Sequence, residues 1–358
     1  MKKISLNCKD NYRIIAISDV HGHVDHLKGL LNKLKLNQED ILIIVGDFIN
    51  RGINSLVTLE YIKKLSNRDN TYILKGNHEY FIHSLIENPE RIGDLHDFLK
   101  EDYYETLVHS VLIESDLTVH DLSSTELLDH FKDQSSITYL KELPIMLMAD
   151  GHIFVHGGYN KTFTSEGQFL KYDNYDELSG INEDKIIVGH WPACNLRYHD
   201  INNRPYFNEE KNIIFIDGGL GVKTTGELNA LIIDKKDGLI DYDFIQYNDF
   251  KPATVIKSHT FNEEALIYVN YPHYQFKLLS QGDRMSICEH EHTGMKFTVF
   301  NSLLIEDNAE YNLKTNFINR FFNLSVGTEV LIVEEHEDCV LVKHNNLFGW
   351  LLREQIYD

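Results

Sequence analysis

Six short aliphatic runs, each closing on polar residues beside glycine, limit what this chain can fold into more than any other feature. They are IIAISDVHGH (14–23), ILIIVGD (41–47), TYILKGN (71–77), HIFVHGG (152–158), KIIVGH (185–190) and IIFIDGG (213–219). Each holds mostly β-branched residues without polar alternation, so each reads as a strand buried on both faces. Such strands need cover, and helical stripes lie between the first of them: Leu27, Leu30, Leu31 and Leu34, then Leu56, Leu59, Ile62 and Leu65. The alternation predicts βαβ units and an α/β fold. Two hairpins, one at Asp150-Gly151 within 144–158 and one across 230–245, make part of the sheet antiparallel. Residues 84–142 read as a helical cap. From about residue 251 short alternating strands replace the helical stripes. The expected organisation is therefore a catalytic domain over 1–250 and a smaller β-rich region over 251–358.

The polar residues at the run ends carry the chemistry. They are Asp19 and His21; Asp47, Asn50 and Arg51; Asn77 and His78; His156; and His190. Asp217 also stands at such an end and reads as a turn residue. Side chains at the carboxyl ends of strands converge in space however far apart they are in sequence. A buried strand that ends on an ionised carboxylate needs compensation. Two carboxylates, three imidazoles and an amide oxygen supply it by holding divalent cations of the manganese, iron or zinc type. Two ions sharing one carboxylate, about 3.5–4 Å apart, clamp a phosphate and acidify a water; Asp47 is the natural bridge.

Charge agrees with this. The formal net charge of −21 excludes extended binding to DNA or RNA along a basic groove, so an anionic substrate needs a local positive centre. No run of about 18 apolar residues is present to span a membrane. The opening MKKISLNCKD reads as the mature start of a cytoplasmic protein. Cys8, Cys194, Cys288 and Cys339 read as reduced thiols, and CEHEHTG (288–294) as a solvated strand face rather than a zinc site.

In this order, SDVHG, GDFINRG, GNHE, HGG and GHWP resemble the calcineurin-like metallophosphoesterases, over roughly residues 13–235. Within them the resemblance is to the phosphoprotein-phosphatase type, which includes bacterial Ser/Thr phosphatases and diadenosine-tetraphosphate hydrolases. It implies a central β-sandwich of mixed sheets flanked by helices in place of a plain doubly wound sheet. It also implies one ion on Asp19, His21 and Asp47, and a second on Asp47, Asn77, His156 and His190, with Mn²⁺ first and Fe or Zn as alternatives. His78 would protonate the leaving oxygen, Arg51 would grip the phosphate, and a metal-bridging hydroxide would attack.

Two positions depart from the family pattern. Asn50 stands where relatives carry the Asp that charges this His. It can accept a hydrogen bond from His78 but adds no charge, so the His78 pKa should fall. Residues 159–188 contain no Arg, where relatives often carry a further phosphate ligand. Arg197 and His23 are the remaining candidates for substrate contact. The tail over 321–358 resembles a bacterial SH3-like barrel, which implies peptide binding or self-association. The expected function is a two-metal hydrolase of phosphate monoesters, phosphoserine and phosphothreonine in proteins included. Dinucleoside polyphosphate or nucleotide hydrolysis is the alternative within that chemistry. A metal-bound interaction protein with weakened turnover is the alternative of another class.

Overall fold

Apolar runs with no polar face are buried here between two layers. The computed structural model describes the whole chain except residues 102, 179–183, 198–199, 263–264, 308–309, 314 and 358. Its first part runs β1 (Lys3–Leu6), β2 (Tyr12–Ile17), α1 (Val24–Leu34), β3 (Ile41–Val45), α2 (Ser55–Leu65), β4 (Thr71–Leu74) and α3 (Asn77–Ile86). Helices α4 (Ile92–Lys100), α5 (Leu107–Glu114), α6 (Ser124–Phe131) and α7 (Ser135–Glu142) follow. Then come β5 (Met146–Ala149), β6 (His152–Val155), α8 (Glu166–Leu170), β7 (Lys185–Val188), β8 (Tyr206–Asn208), β9 (Ile213–Phe215), β10 (Leu228–Lys236) and β11 (Leu239–Tyr247).

Strands β2, β3 and β4 pair in parallel, and β10 and β11 extend that sheet antiparallel, in the order β11-β10-β2-β3-β4. The second sheet, β1-β5-β6-β7-β9-β8, mixes both senses; β5 and β6 form the hairpin expected at Asp150-Gly151. The sheets face each other: Ile14, Ala16, Ile43, Val45 and Leu231 share one core with Leu147, Phe154, Ile187 and Ile214. The alternate residues Ile15, Ile17, Leu42 and Ile44 face the other way, into a core with Leu27 and Leu30 of α1 and Leu59 and Ile62 of α2. Each fully buried Leu or Ile there contributes about 1.5–3 kcal/mol. Helices α4 to α7 form the cap, and Leu95, Leu99, Leu107, Leu112, Leu127 and Phe131 join this same outer core. The sandwich of mixed sheets flanked by helices is thus the observed fold.

The chain divides into two compact units. The first comprises residues 1–193, 204–222 and 227–248; the second comprises 194–203, 223–226 and 249–358. The segment 194–203 belongs to the second because its backbone is bonded there. Tyr268 Oη donates to the Cys194 carbonyl, and Asn270 Nδ2 to the carbonyls of Asn195 and Arg197. The second unit holds β12 (Lys251–Thr254), β13 (Tyr268–Val269), β14 (Gln275–Gln281), β15 (Met285–His290), β16 (Lys296–Phe300), β17 (Leu304–Asp307), β18 (Glu310–Leu313), β19 (Phe317–Ile318), β20 (Glu329–Glu335), β21 (Cys339–His344) and β22 (Leu347–Leu352). Strands β20 to β22 pair with β12, so the sheet containing the tail also draws on residues 251–254. Cys288 and His290 point into the core of this unit, which corrects the solvated reading of CEHEHTG; His290 is bonded to Thr293 Oγ1 and the His273 carbonyl. All four cysteines are free thiols. No helix among the described residues is long and apolar enough to cross a membrane.

Candidate metal centre

Most singled-out residues of the first unit sit just beyond a strand or at the first turn of a helix, while Asn50 and Arg51 lie further along the loop between β3 and α2. Asp19 and His21 follow β2, Asp47 follows β3, Asn77 and His78 open α3 after β4, His156 follows β6, and His190 follows β7. The first two loops run on in register: Asp19 N–H bonds Gly46 O at 3.2 Å, His21 N–H bonds Asp47 O at 3.0 Å, and Gly22 N–H bonds Phe48 O at 2.9 Å. Asp19, His21, Asp47, Asn50, Arg51 and His190 all take positive φ, from 46° to 75°. A non-glycine residue in that region costs roughly 1–3 kcal/mol and persists only where its surroundings hold it. Two glycines let the loops close up. A Cβ at Gly76 would run into Asp47 Oδ1, and one at Gly189 into Ser18 Oγ and Asp19 Oδ2.

Two sets of ligand atoms result. His21, Asp47 and His78 offer atoms within 4.8 Å of one another, and so do Asp47, His156 and His190. Asp47 belongs to both. Its Oδ2 is 3.1 Å from His156 Nε2, which is 3.0 Å from Asn77 Oδ1. His156 Nδ1 donates to the Val45 carbonyl at 2.8 Å, so Nε2 is the nitrogen that faces Asp47 and Asn77. Asp19 joins through His21, with Oδ1 3.7 Å from Nε2, while its Oδ2 accepts from Ser18 Oγ and the His190 N–H. Asp217 is buried as well, and its Oδ1 accepts the Gly219 N–H at 2.7 Å, the turn role expected of it.

The electrostatics call for cations. Burial and the neighbouring Asp217 push the Asp19 carboxyl well above the usual range, and burial lifts Asp217 to about 6. Burial would raise Asp47 too, but the imidazoles of His156, His78 and His21 hold it well below the ordinary carboxylate range. Burial opposes charge on His156, yet Asp47 and Asp19 hold its proton up to about 10. Asp19, Asp47, Glu79 and Asp217 thus crowd four buried carboxyl groups into one site. Carboxylate, imidazole and amide donors match divalent ions of the manganese, iron or zinc type, so the residues present fit two such ions.

Asn50 corrects one expectation. Its Oδ1 accepts the Leu107 N–H at 2.8 Å, so its Nδ2 is the atom that faces His78 Nδ1, at 3.1 Å. A backbone N–H cannot be an acceptor, which fixes which way the amide points. Asn50 therefore donates to His78 instead of accepting from it, and the His78 proton sits on Nε2. Burial, with Arg51 adding to it, lowers His78 to about 4 despite the attraction of Asp47.

Glu79, quoted within GNHE but given no part by the sequence reading, organises the floor. Its carboxylate accepts the N–H groups of Gly76, Asp47, Phe48 and Ile49 at 2.7–3.3 Å. Glu three residues after the N-cap, here Gly76, is a capping signature that could have pointed to it. A cavity of about 660 Å³ opens onto this floor. Arg51 lines it, with a buried Nε that has no hydrogen-bond partner among the described residues. Arg91 and Lys171 line it too and were missed, because one lies beside the cap and the other in the stretch noted for lacking arginine. Arg197 belongs to the second unit, where its Nε donates to the Asn202 carbonyl at 2.9 Å. His23 is not among the lining residues; its ring packs against the backbone of Gly52 and Gly221, and its Nδ1 lies 3.2 Å from the Val20 carbonyl.

A family model described as calcineurin-like phosphoesterase matches residues 12–194. A symmetrical bis(5'-nucleosyl)-tetraphosphatase from Coxiella burnetii is 34% identical over 136 residues, 38% of this chain and 40% of the relative. One of the same name from Wigglesworthia glossinidia brevipalpis is 42% identical over 64 residues, 18% of this chain and 23% of the relative. The chain thus matches two fifths or less of the length of these relatives. Among solved structures, a protein serine/threonine phosphatase from Saccharomyces cerevisiae aligns with 13% identity and a TM-score of 0.39, over 70% of this chain and 86% of its own.

Proposed function

Since the chain belongs to the calcineurin-like phosphoesterase family, we propose that it hydrolyses phosphate esters at a centre of two divalent ions, phosphate monoesters first, phosphorylated proteins included. The observation that carries this reading is Asp47, common to two sets of ligand atoms on the floor of a cavity that also receives an unpartnered Arg51 Nε. Asp19, His21 and Asp47 would hold one ion, and Asp47, Asn77, His156 and His190 the other, with Mn²⁺ the first candidate. Bound there, the ions would lower the pKa of water and neutralise charge developing on phosphoryl oxygens.

The chain's own residues do the rest. Arg51 presents its guanidinium to the phosphate, a planar match for its oxygens. His78 points Nε2–H toward the leaving oxygen, with Nδ1 fixed by Asn50. Glu79 holds the Asp47 loop in its strained form. Dinucleoside polyphosphates are a second reading, favoured by the names of the relatives that match. We also read the chain as cytoplasmic.

The test is hydrolysis of p-nitrophenyl phosphate, a phosphopeptide and diadenosine tetraphosphate with added Mn²⁺, in wild type and Asp47→Asn. Wild type should exceed the variant by at least about 100-fold, since Asp47 serves both sets of ligand atoms. Equal rates in the two proteins would instead support the interaction-protein alternative.

A further inference from the structure

Building on the phosphoesterase reading, we infer that Tyr104 selects the group a bound phosphate carries, and that this group is a planar aromatic ring. Tyr104 lies in the link between α4 and α5 and lines the cavity, half-buried. Its ring centroid is 4.9 Å from the Arg51 guanidinium carbon and 5.9 Å from the His78 ring. It therefore neighbours both the residue that would grip the phosphate and the one that would face the leaving oxygen.

The position is not left to a loose loop. The Arg51 N–H bonds the Glu105 carbonyl at 2.6 Å, and the Leu107 N–H bonds Asn50 Oδ1 at 2.8 Å. These two bonds, made one and three residues after Tyr104, tie the link to the same loop that carries Asp47. The wall continues in aromatic residues. Phe98 lies 5.8 Å from Tyr104, edge-on, and Phe81 lies 5.2 Å from Phe98, also edge-on. Both are half-buried on the cavity wall, whereas Leu95 and Leu99 beside Phe98 are fully buried. Three rings at these spacings form an apolar wall with edges and faces that suit a further ring. Arg91 and Lys171 add positive charge at the same cavity. A phosphate bearing a nucleobase or phenyl group matches both halves of this surface; a phosphate on a short alkyl chain matches only the charged half.

The test uses non-hydrolysable ligands on the full chain loaded with Mn²⁺. Calorimetry gives the affinity ratio of phenylphosphonate to methylphosphonate in wild type, Tyr104→Phe and Tyr104→Leu. An aromatic pair is worth about 0.5–1.5 kcal/mol beyond its area. The ratio should therefore stay unchanged in Tyr104→Phe and fall by about 3- to 10-fold in Tyr104→Leu. An equal ratio in wild type and Tyr104→Leu overturns the inference, and so does failure of either phosphonate to bind. Turnover of p-nitrophenyl phosphate in the same preparation separates the two claims. Turnover with an unchanged ratio removes the role of Tyr104 alone. A Tyr104-dependent ratio without turnover removes the hydrolase reading and leaves Tyr104 as the selector of a bound ligand.

Discussion

Asn50 commits its two terminal atoms to different partners, and that fixes which ring nitrogen of His78 carries the proton. An Asp at this position has no N–H to offer Nδ1. It would accept a proton there instead and favour the charged imidazole, so the His78 pKa should rise from about 4. A charged His78 donates its proton more readily, and activity then falls as pH climbs through its pKa. Asn50→Asp should move the basic limb of the pH–rate profile upward and raise turnover of an alkyl phosphate by roughly 10-fold. A profile and rate matching wild type would contradict the assignment. Glu79→Gln tests the floor. One amide oxygen cannot replace a carboxylate that receives four N–H groups. Mn²⁺ affinity by calorimetry should weaken by roughly 10- to 100-fold while the circular dichroism spectrum is retained. Asp19, Asp47, Asn77, His156 and His190 were legible in the sequence because strand ends converge by topology alone. The orientation of the Asn50 amide was not, since its deciding partner, Leu107, lies 57 positions away in the cap.

Helix α3 carries the site on its first turn and a buried ionic knot further along. Lys75, just before it, donates to His83 Nε2 at 3.2 Å, to the Lys141 carbonyl at 2.9 Å and to Glu166 Oε1 at 2.8 Å. This ties β4 and α3 to α7 and α8. Burial, helped by the Lys75 ammonium, lowers His83 to about 4. The folded value lies below the unfolded one, so the native state favours the neutral ring. That stability is fully present above about pH 6.5 and is lost as pH falls towards 4, up to about 3 kcal/mol in all. In His83→Gln the thermal midpoint should fall less steeply between pH 6.5 and 4.5 than in wild type, with Mn²⁺ held constant. Parallel slopes would count against a neutral buried His83. The stripes of α1 and α2 and both hairpins were readable as periodicities. This knot was not, because its four residues come from separate elements with no common period.

At the scale of the molecule, the change of texture near residue 251 was visible, but a chain break there does not isolate a unit. Segments 194–203 and 223–226 group with residues 249–358, and their polar backbone is bonded to Tyr268 and Asn270. A fragment ending at residue 250 loses those partners and leaves buried Ile201 without its core neighbours. It should therefore melt at least about 5 °C below the full chain, as scanning calorimetry would read; equal midpoints would show the first unit to be self-sufficient. The same interleaving bears on synthesis. At about 5–20 residues per second, Cys194 leaves the ribosome several seconds before Tyr268 follows. During that interval the nascent sandwich already holds its central strands, yet a stretch four residues past His190 waits for a mate that has not been translated. Slow codons between positions 203 and 268 would lengthen that wait.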